Sequence, residues 1–186
     1  VVRLGFRFPP GHSPQQTPPM PLVLLCGQPS SGKSTAAAEL RALLEREDSP
    51  CRKPVVVIDE PSLHLERNSA YQDTRSEKNA RGVVRSAVDR ATTRENVVIV
   101  DTLNNIKGYR YELWCIARAA GTRYCVLHCD VPAETCRTWN AARGEEGYRE
   151  DVFDDLTSRF ERPDGKNRWD APLFTVRPEG EGGRGG

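Results

Sequence analysis

Long apolar runs are what this chain lacks first. No window stays apolar for the roughly 18 residues of a membrane helix, and a mean hydropathy of -0.62 with 28% charged residues predicts a protein with no membrane partner. Net charge is nearly absent as well: 27 basic against 26 acidic residues leave +1, so there is no global field to hold nucleic acid, and such contact needs a local patch. Aromatics are 7% of residues, and Met20 is the single methionine. No secretory segment precedes the six cysteines, and a chain with core-sized apolar runs needs no disulfide staples, so they read as reduced and intracellular. Cys125, His128 and Cys129 in "YCVLHCDV" have no second Cys pair; they read as part of a buried strand rather than a zinc site. No internal repeat is visible.

The 186 residues suit one compact domain. Residues 1–19, "VVRLGFRFPPGHSPQQTPP", carry five prolines and no continuous apolar core, which excludes a signal peptide and predicts a flexible leader. Met20 directly precedes the first strand and is a candidate initiator, which would make that leader foreign to the native chain. A globular domain is expected over 20–177. Residues 178–186, in the Gly-rich "RPEGEGGRGG", read as a flexible linker toward a further domain.

What is present is an alternation of strand and helix, which predicts an α/β fold with helices on both faces of a parallel sheet. Apolar strands are expected at 21–26, 53–59, 96–101, 123–129 and 171–176. Helices are expected at 32–47, from a Ser76 cap through Val83, Val84, Ala87, Val88 and Ala91, and at 108–120 with Gly121 closing. The charged segment 132–162 reads as two helical pieces split by "RGEEGYRE".

Gly27, Gln28, Pro29, Ser30, Ser31, Gly32, Lys33 and Ser34 match G-x-x-x-x-G-K-[ST] in full, between a buried strand and a helix. That spacing lets backbone amides wrap a phosphate at the positive end of a helix dipole. Lys33 would neutralise the β- and γ-phosphates of ATP, the Ser34 hydroxyl would ligate Mg²⁺, and Thr35 follows in the first helical turn.

Carboxylates at the strand ends decide what happens to the phosphate. Asp101 ends "VVIVD" and fits the acid that holds the metal's water shell; Asp59 ends "VVVID", with Glu60 behind it, and is the candidate base for a hydroxyl or water. Either strand could serve the metal. Phosphoryl transfer also needs cations, and 137–168 offers Arg137, Arg143, Arg149, Arg159, Arg162 and Arg168 as a helical lid hinged at Gly144 and Gly147. Arg137 and Arg143, ahead of the hinge, are the catalytic candidates. Asn167, Arg168 and Trp169 would contact adenine or pin the lid. In "NNIKGYRYELWC", Tyr109, Leu113 and Ile116 read as packing the helix on the sheet, with Lys107 and Arg110 solvated; an RNA-stacking surface is the alternative.

Three separated blocks, "MPLVLLCGQPSSGKST", Asp101 to Cys115, and "RFERPDGKNRWDAPLF", resemble the Elongator-associated P-loop ATPase family of killer-toxin-insensitive protein twelve, similar in turn to phosphoseryl-tRNA kinase. The resemblance implies a three-layer P-loop NTPase fold with a kinase-like, five-stranded parallel sheet and a helical lid. It implies only the N-terminal half of the family's architecture, the tRNA-binding C-terminal domain lying beyond it. It also implies an ATP- and Mg²⁺-dependent, tRNA-stimulated hydrolase that serves the Elongator complex in wobble-uridine modification, in the cytoplasm and also the nucleus. By motif position, Gly27 to Thr35 would bind nucleotide, Ser34 and Asp101 would serve the metal through water, and Asp59 would be the kinase relative's catalytic carboxylate. A kinase acting on aminoacyl-tRNA or a small hydroxyl compound, and a nucleotide-gated adaptor with little turnover, are the rival functions.

Overall fold

The computed structural model describes residues 21–177; the readings for 1–19, Met20 and 178–186 lie outside them. Five strands, β1 (Pro21–Gly27), β2 (Val55–Asp59), β3 (Val97–Asp101), β4 (Arg123–Cys129) and β5 (Leu173–Val176), form one sheet in the order β2-β3-β1-β4-β5. Every pairing is parallel, as the alternation of strand and helix predicts. The helices are α1 (Lys33–Glu45), α2 (Arg67–Tyr71), α3 (Thr74–Ala91), α4 (Lys107–Ala119), α5 (Ala133–Ala142) and α6 (Glu150–Ser158), with single 3-10 turns at Pro61–Leu63 and Gly144–Glu146.

Both sheet faces are covered, which is why the strands read as unbroken apolar runs. Leu22, Leu24 and Cys26 of β1 face α3 and α4 with Val88, Leu113 and Ala117; Val23 and Leu25 face α1 with Ala37. Each fully buried leucine contributes about 1.5–3 kcal/mol of transfer free energy. The same alternation along β4 separates the metal-like trio. Cys125 and Cys129 lie in the layer under α1, whereas His128 stacks on Phe160 at 6.1 Å. Burial pushes the Cys125 thiol to about 11 and Cys129 to about 12, so these are core thiols.

Several expected boundaries move. β2 starts at Val55 and β5 at Leu173, each two residues late, and α1 stops at Glu45. Asp73, not Ser76, caps α3: its carboxylate accepts the Ser76 N–H at 2.8 Å, because a capping side chain precedes by three residues the amide it satisfies. Gly121 does close α4, at φ +64°. Helix α2 and the turn at 61–63 come from a stretch without apolar periodicity.

Strand order sets the two terminal acids at different distances from the phosphate loop. β3 lies directly beside β1, so Asp101 adjoins the phosphate loop, and Asp59 is its register partner one strand further out. All three strands deliver their ends to one edge, where open α/β sheets bind ligands.

Candidate nucleotide site

Gly27 ends β1 where a side chain cannot fit: a Cβ there would lie 2.5 Å from Ser31 Oγ and 2.8 Å from the Cys129 carbonyl oxygen. The loop then turns through two left-handed residues, Ser30 at φ 57° and Gly32 at φ 80°, and opens into α1. No side chain among the described residues caps α1, so its first amides face the loop's concavity, the arrangement that receives a phosphate. Lys33 is buried, its Nζ donating to the Gln28 carbonyl at 2.7 Å and the Gly27 carbonyl at 3.3 Å. Ser31 Oγ and Gln28 Oε1 are buried in the loop with no hydrogen-bond partner among the described residues.

Beside the loop is a cleft lined by Ser30 to Ser34, Glu60, Arg67, Asp101, Thr102, Leu103, Arg143 and Tyr148. Burial raises the Asp101 carboxyl; the Ser34 hydroxyl and Lys33 pull it back, and Asp59 pushes it up again. Ser34 and Asp101 thus stand together as an all-oxygen pair, the hard donor set that suits Mg²⁺. Asp59 adjoins them, but its Oδ1 accepts the Ser62 N–H at 2.8 Å and so caps the turn at 61–63. Glu60 is the acid of the pair that lines the cleft. Its Oε1 accepts the Tyr71 hydroxyl at 2.7 Å, and burial raises its pKa.

The predicted arginines divide. Arg143, at the C-terminal end of α5, lines the cleft. Arg137 does not: its guanidinium pairs with Asp154 at 2.5 Å and Glu150 at 3.7 Å on α6 and lies over the Phe153 ring. Six residues on a helix is roughly 240° of rotation, so the two arginines cannot share a face. Arg149, Arg159 and Arg162 are paired with Asp151, Asp155 and Asp130. Arg110, expected in solvent or on RNA, is fully buried against Asp170. Arg168 lies over Trp114 at 5.2 Å and Trp169 meets Tyr111 edge-on at 5.5 Å, which pins this loop to α4.

Sequence reasoning missed Arg67, Tyr148 and Asn140. Arg67 lies over the Tyr148 ring and donates to the Glu146 carbonyl. Asn140 Oδ1 accepts from Ser30 Oγ at 3.0 Å and from the Tyr148 N–H at 2.8 Å, tying the phosphate loop to the lid hinge. No local pattern signals a contact across 110 residues of chain.

The glycine loop opening α1, the acids at the strand tips and the order β2-β3-β1-β4-β5 define a P-loop nucleotide-binding domain of kinase-like topology. Residues 20–182 match the family model described as chromatin associated protein KTI12, and the chain belongs to that family. It is 57% identical over 166 residues to a KTI12 homolog of Oryza sativa subsp. indica, covering 88% of this chain and 54% of the relative. It is 36% identical over 161 residues to KTI12 of Saccharomyces cerevisiae, covering 84% and 51%. The chain therefore spans about half the length of these curated relatives. Among solved structures, Kti12 of Chaetomium thermophilum in complex with ADP-AlF3 superposes with a TM-score of 0.78 at 36% identity, covering 84% of this chain and 89% of that one. APS kinase CysC of Mycobacterium tuberculosis, TM-score 0.60 at 18% identity and covering 88% and 91%, shares the fold.

Proposed function

We propose that this chain is the ATP-hydrolysing domain of a factor that serves the Elongator complex in tRNA wobble-uridine modification. The observation that carries the catalytic part is one cleft in which Lys33, Ser34, Asp101, Glu60 and Arg143 converge beside the open N-terminus of α1. Membership of the KTI12 family and the ADP-AlF3 complex of the Chaetomium relative support nucleotide binding by this domain. The Elongator and tRNA part rests on the family resemblance. Contact with tRNA falls mainly to a domain beyond this chain, and the factor works in the cytoplasm and also the nucleus.

In this reading the amides of residues 27–35 and the start of α1 hold the phosphates, and Gly27 keeps the loop close enough to do so. Lys33 leaves its two carbonyl partners to neutralise the β- and γ-phosphates. Ser34 and Asp101 would hold Mg²⁺, Asp101 through water, and the bound ion would screen the charge of the phosphate oxygens. Arg143, brought in by the lid, faces the charge that develops on the migrating phosphoryl group. A carboxylate of the Asp59–Glu60 pair accepts the proton of the attacking group.

The test uses full-length protein with γ-labelled ATP and tRNA, charged and uncharged. Label released as phosphate and stimulated by uncharged tRNA supports the reading. Label on the tRNA makes the protein a kinase, and ATP binding without turnover makes it an adaptor. Lys33→Ala is expected to lower phosphate release at least ~100-fold with the fold intact.

A further inference from the structure

β2 ends at Asp59, and Glu60 follows it with helical backbone angles, φ -59° and ψ -44°, as the chain enters the turn at 61–63. Asp59 turns to the chain that follows: its Oδ1 takes the Ser62 amide at 2.8 Å, and its carbonyl takes the Ser62 hydroxyl at 3.0 Å. Glu60 turns into the cleft, between the phosphate loop and the hinge residue Tyr148. Its Oε1 is fixed by Tyr71, a side chain only 6% exposed that is itself packed 6.3 Å from the Tyr148 ring. The Tyr71 hydroxyl thus engages one carboxylate oxygen of a residue that lines the cleft.

The other acids of this edge are occupied. Asp101 stands with Ser34 at the place of the metal, and Asp59 caps a turn. Were Glu60 only a structural partner for Tyr71, one neutral acceptor would suffice and there would be no reason to wall in a carboxylate beside Lys33 and Arg143. Burial of that carboxylate costs free energy, and a site retains such a group where its basicity is used. A carboxylate held through Oε1 suits a group that must present its other oxygen in a set direction.

We propose that Glu60 is the residue that orients and deprotonates the water attacking the γ-phosphate, with Tyr71 as its positioning residue. This rests on the ATP-hydrolysis reading and names the acceptor at the same site. In the step, the water oxygen forms a bond to the γ-phosphorus as the bond from that phosphorus to the β–γ bridging oxygen breaks. The electron pair of the broken bond leaves on ADP. One water proton passes to the Glu60 carboxylate and from there to solvent, leaving inorganic phosphate.

Full-length protein carrying Glu60→Gln, Asp59→Asn or Tyr71→Phe tests this, with phosphate release and ATP affinity measured on each. Glutamine keeps an acceptor for Tyr71, so Glu60→Gln is expected to bind ATP within about threefold of wild type while phosphate release falls about 100-fold or more. Asp59→Asn should lower release clearly less than Glu60→Gln does. Tyr71→Phe should lower turnover ~10-fold at unchanged ATP affinity, and adding it to Glu60→Gln should lower turnover no further, since the two act as one unit. Release unaffected in Glu60→Gln, or the large loss at intact affinity appearing in Asp59→Asn instead, overturns the assignment while the hydrolysis reading stands. A wild-type protein that releases no phosphate, with or without tRNA, overturns both.

Discussion

Arg110 on α4 and Asp170, sixty residues later in the chain, form an ion pair from which solvent is wholly excluded: Nε donates to Oδ1 at 2.8 Å and both side chains are 0% exposed. Arg110 Nη1 also donates to the Asn104 carbonyl at 3.2 Å, and Asp170 Oδ2 accepts the Asp164 N–H at 3.1 Å. One guanidinium thus joins the loop after β3, helix α4 and the loop that leads into β5. Removing one partner strands a buried charge, so Asp170→Ala is expected to lose about 3–5 kcal/mol, whereas the apolar double replacement Arg110→Met with Asp170→Leu should lose clearly less. Urea midpoints of the three proteins measure this; equal losses in the single and double variants would show that the pair contributes only its volume.

The pair also shows where the sequence stopped being legible. Strands, P-loop and the acids at the strand tips are written in neighbouring residues, because a strand buried on both faces is a continuous apolar run and the phosphate loop needs fixed glycines. Arg110 lies among Tyr109, Tyr111 and Glu112, and nothing within a helical turn reveals a carboxylate sixty positions away. Asp59 and Glu60 are adjacent letters, and only the turn that begins at Glu60 separates their directions. Arg137 and Arg143 both precede the hinge in sequence, but roughly 240° of helix rotation between them brings Arg143 to the cleft and Arg137 to Asp154.

Arg143 and Arg137 give opposite expectations. Arg143 lines the cleft, so Arg143→Ala should lower phosphate release ~10- to 100-fold with ADP affinity little changed, as for a group that meets charge developing in the transition state. Arg137 is committed to Asp154 and Glu150, so Arg137→Ala should leave release within about twofold. Steady-state release assays on the two variants check the pair, and a reversed order would return Arg137 to the site.

His128 is 2% exposed, and burial lowers its pKa from 6.5 to about 4, with Arg162 nearby pushing the same way. The unfolded chain therefore binds this proton at higher pH than the native state does. Stability from this group is complete above pH 6.5 and falls as the pH drops through about 4, with a slope of up to about 1.4 kcal/mol per pH unit between them. Urea unfolding from pH 7.5 down to about 4.5 measures it. His128→Gln should flatten the curve relative to wild type, the carboxylates shared by both proteins setting the common background.

Asn140 is the remaining link between nucleotide loop and lid. Its Oδ1 receives Ser30 Oγ at 3.0 Å and the Tyr148 amide at 2.8 Å, and its Nδ2 donates to the Tyr148 carbonyl at 2.8 Å. Gly147 fits beneath it with no space for a side chain, since a Cβ would lie 2.6 Å from the Asn140 carbonyl oxygen. Asn68 completes the grip from α2, donating to the Gly147 carbonyl at 3.1 Å and accepting the Arg149 N–H at 2.8 Å. Asn140→Ala removes three bonds, each worth about 0.5–1.5 kcal/mol net, and frees the segment that carries Arg143 beside the phosphates. ADP affinity should change by less than about threefold, turnover should fall ~10-fold, and proteolysis between Arg143 and Arg149 should accelerate. Asn140→Asp keeps the acceptor for Ser30 and the Tyr148 amide but sets a carboxylate against the Tyr148 carbonyl, so it should also free the segment. Unchanged cleavage in both variants, with turnover intact, would show that the lid is held by Asn68 and Arg67 alone.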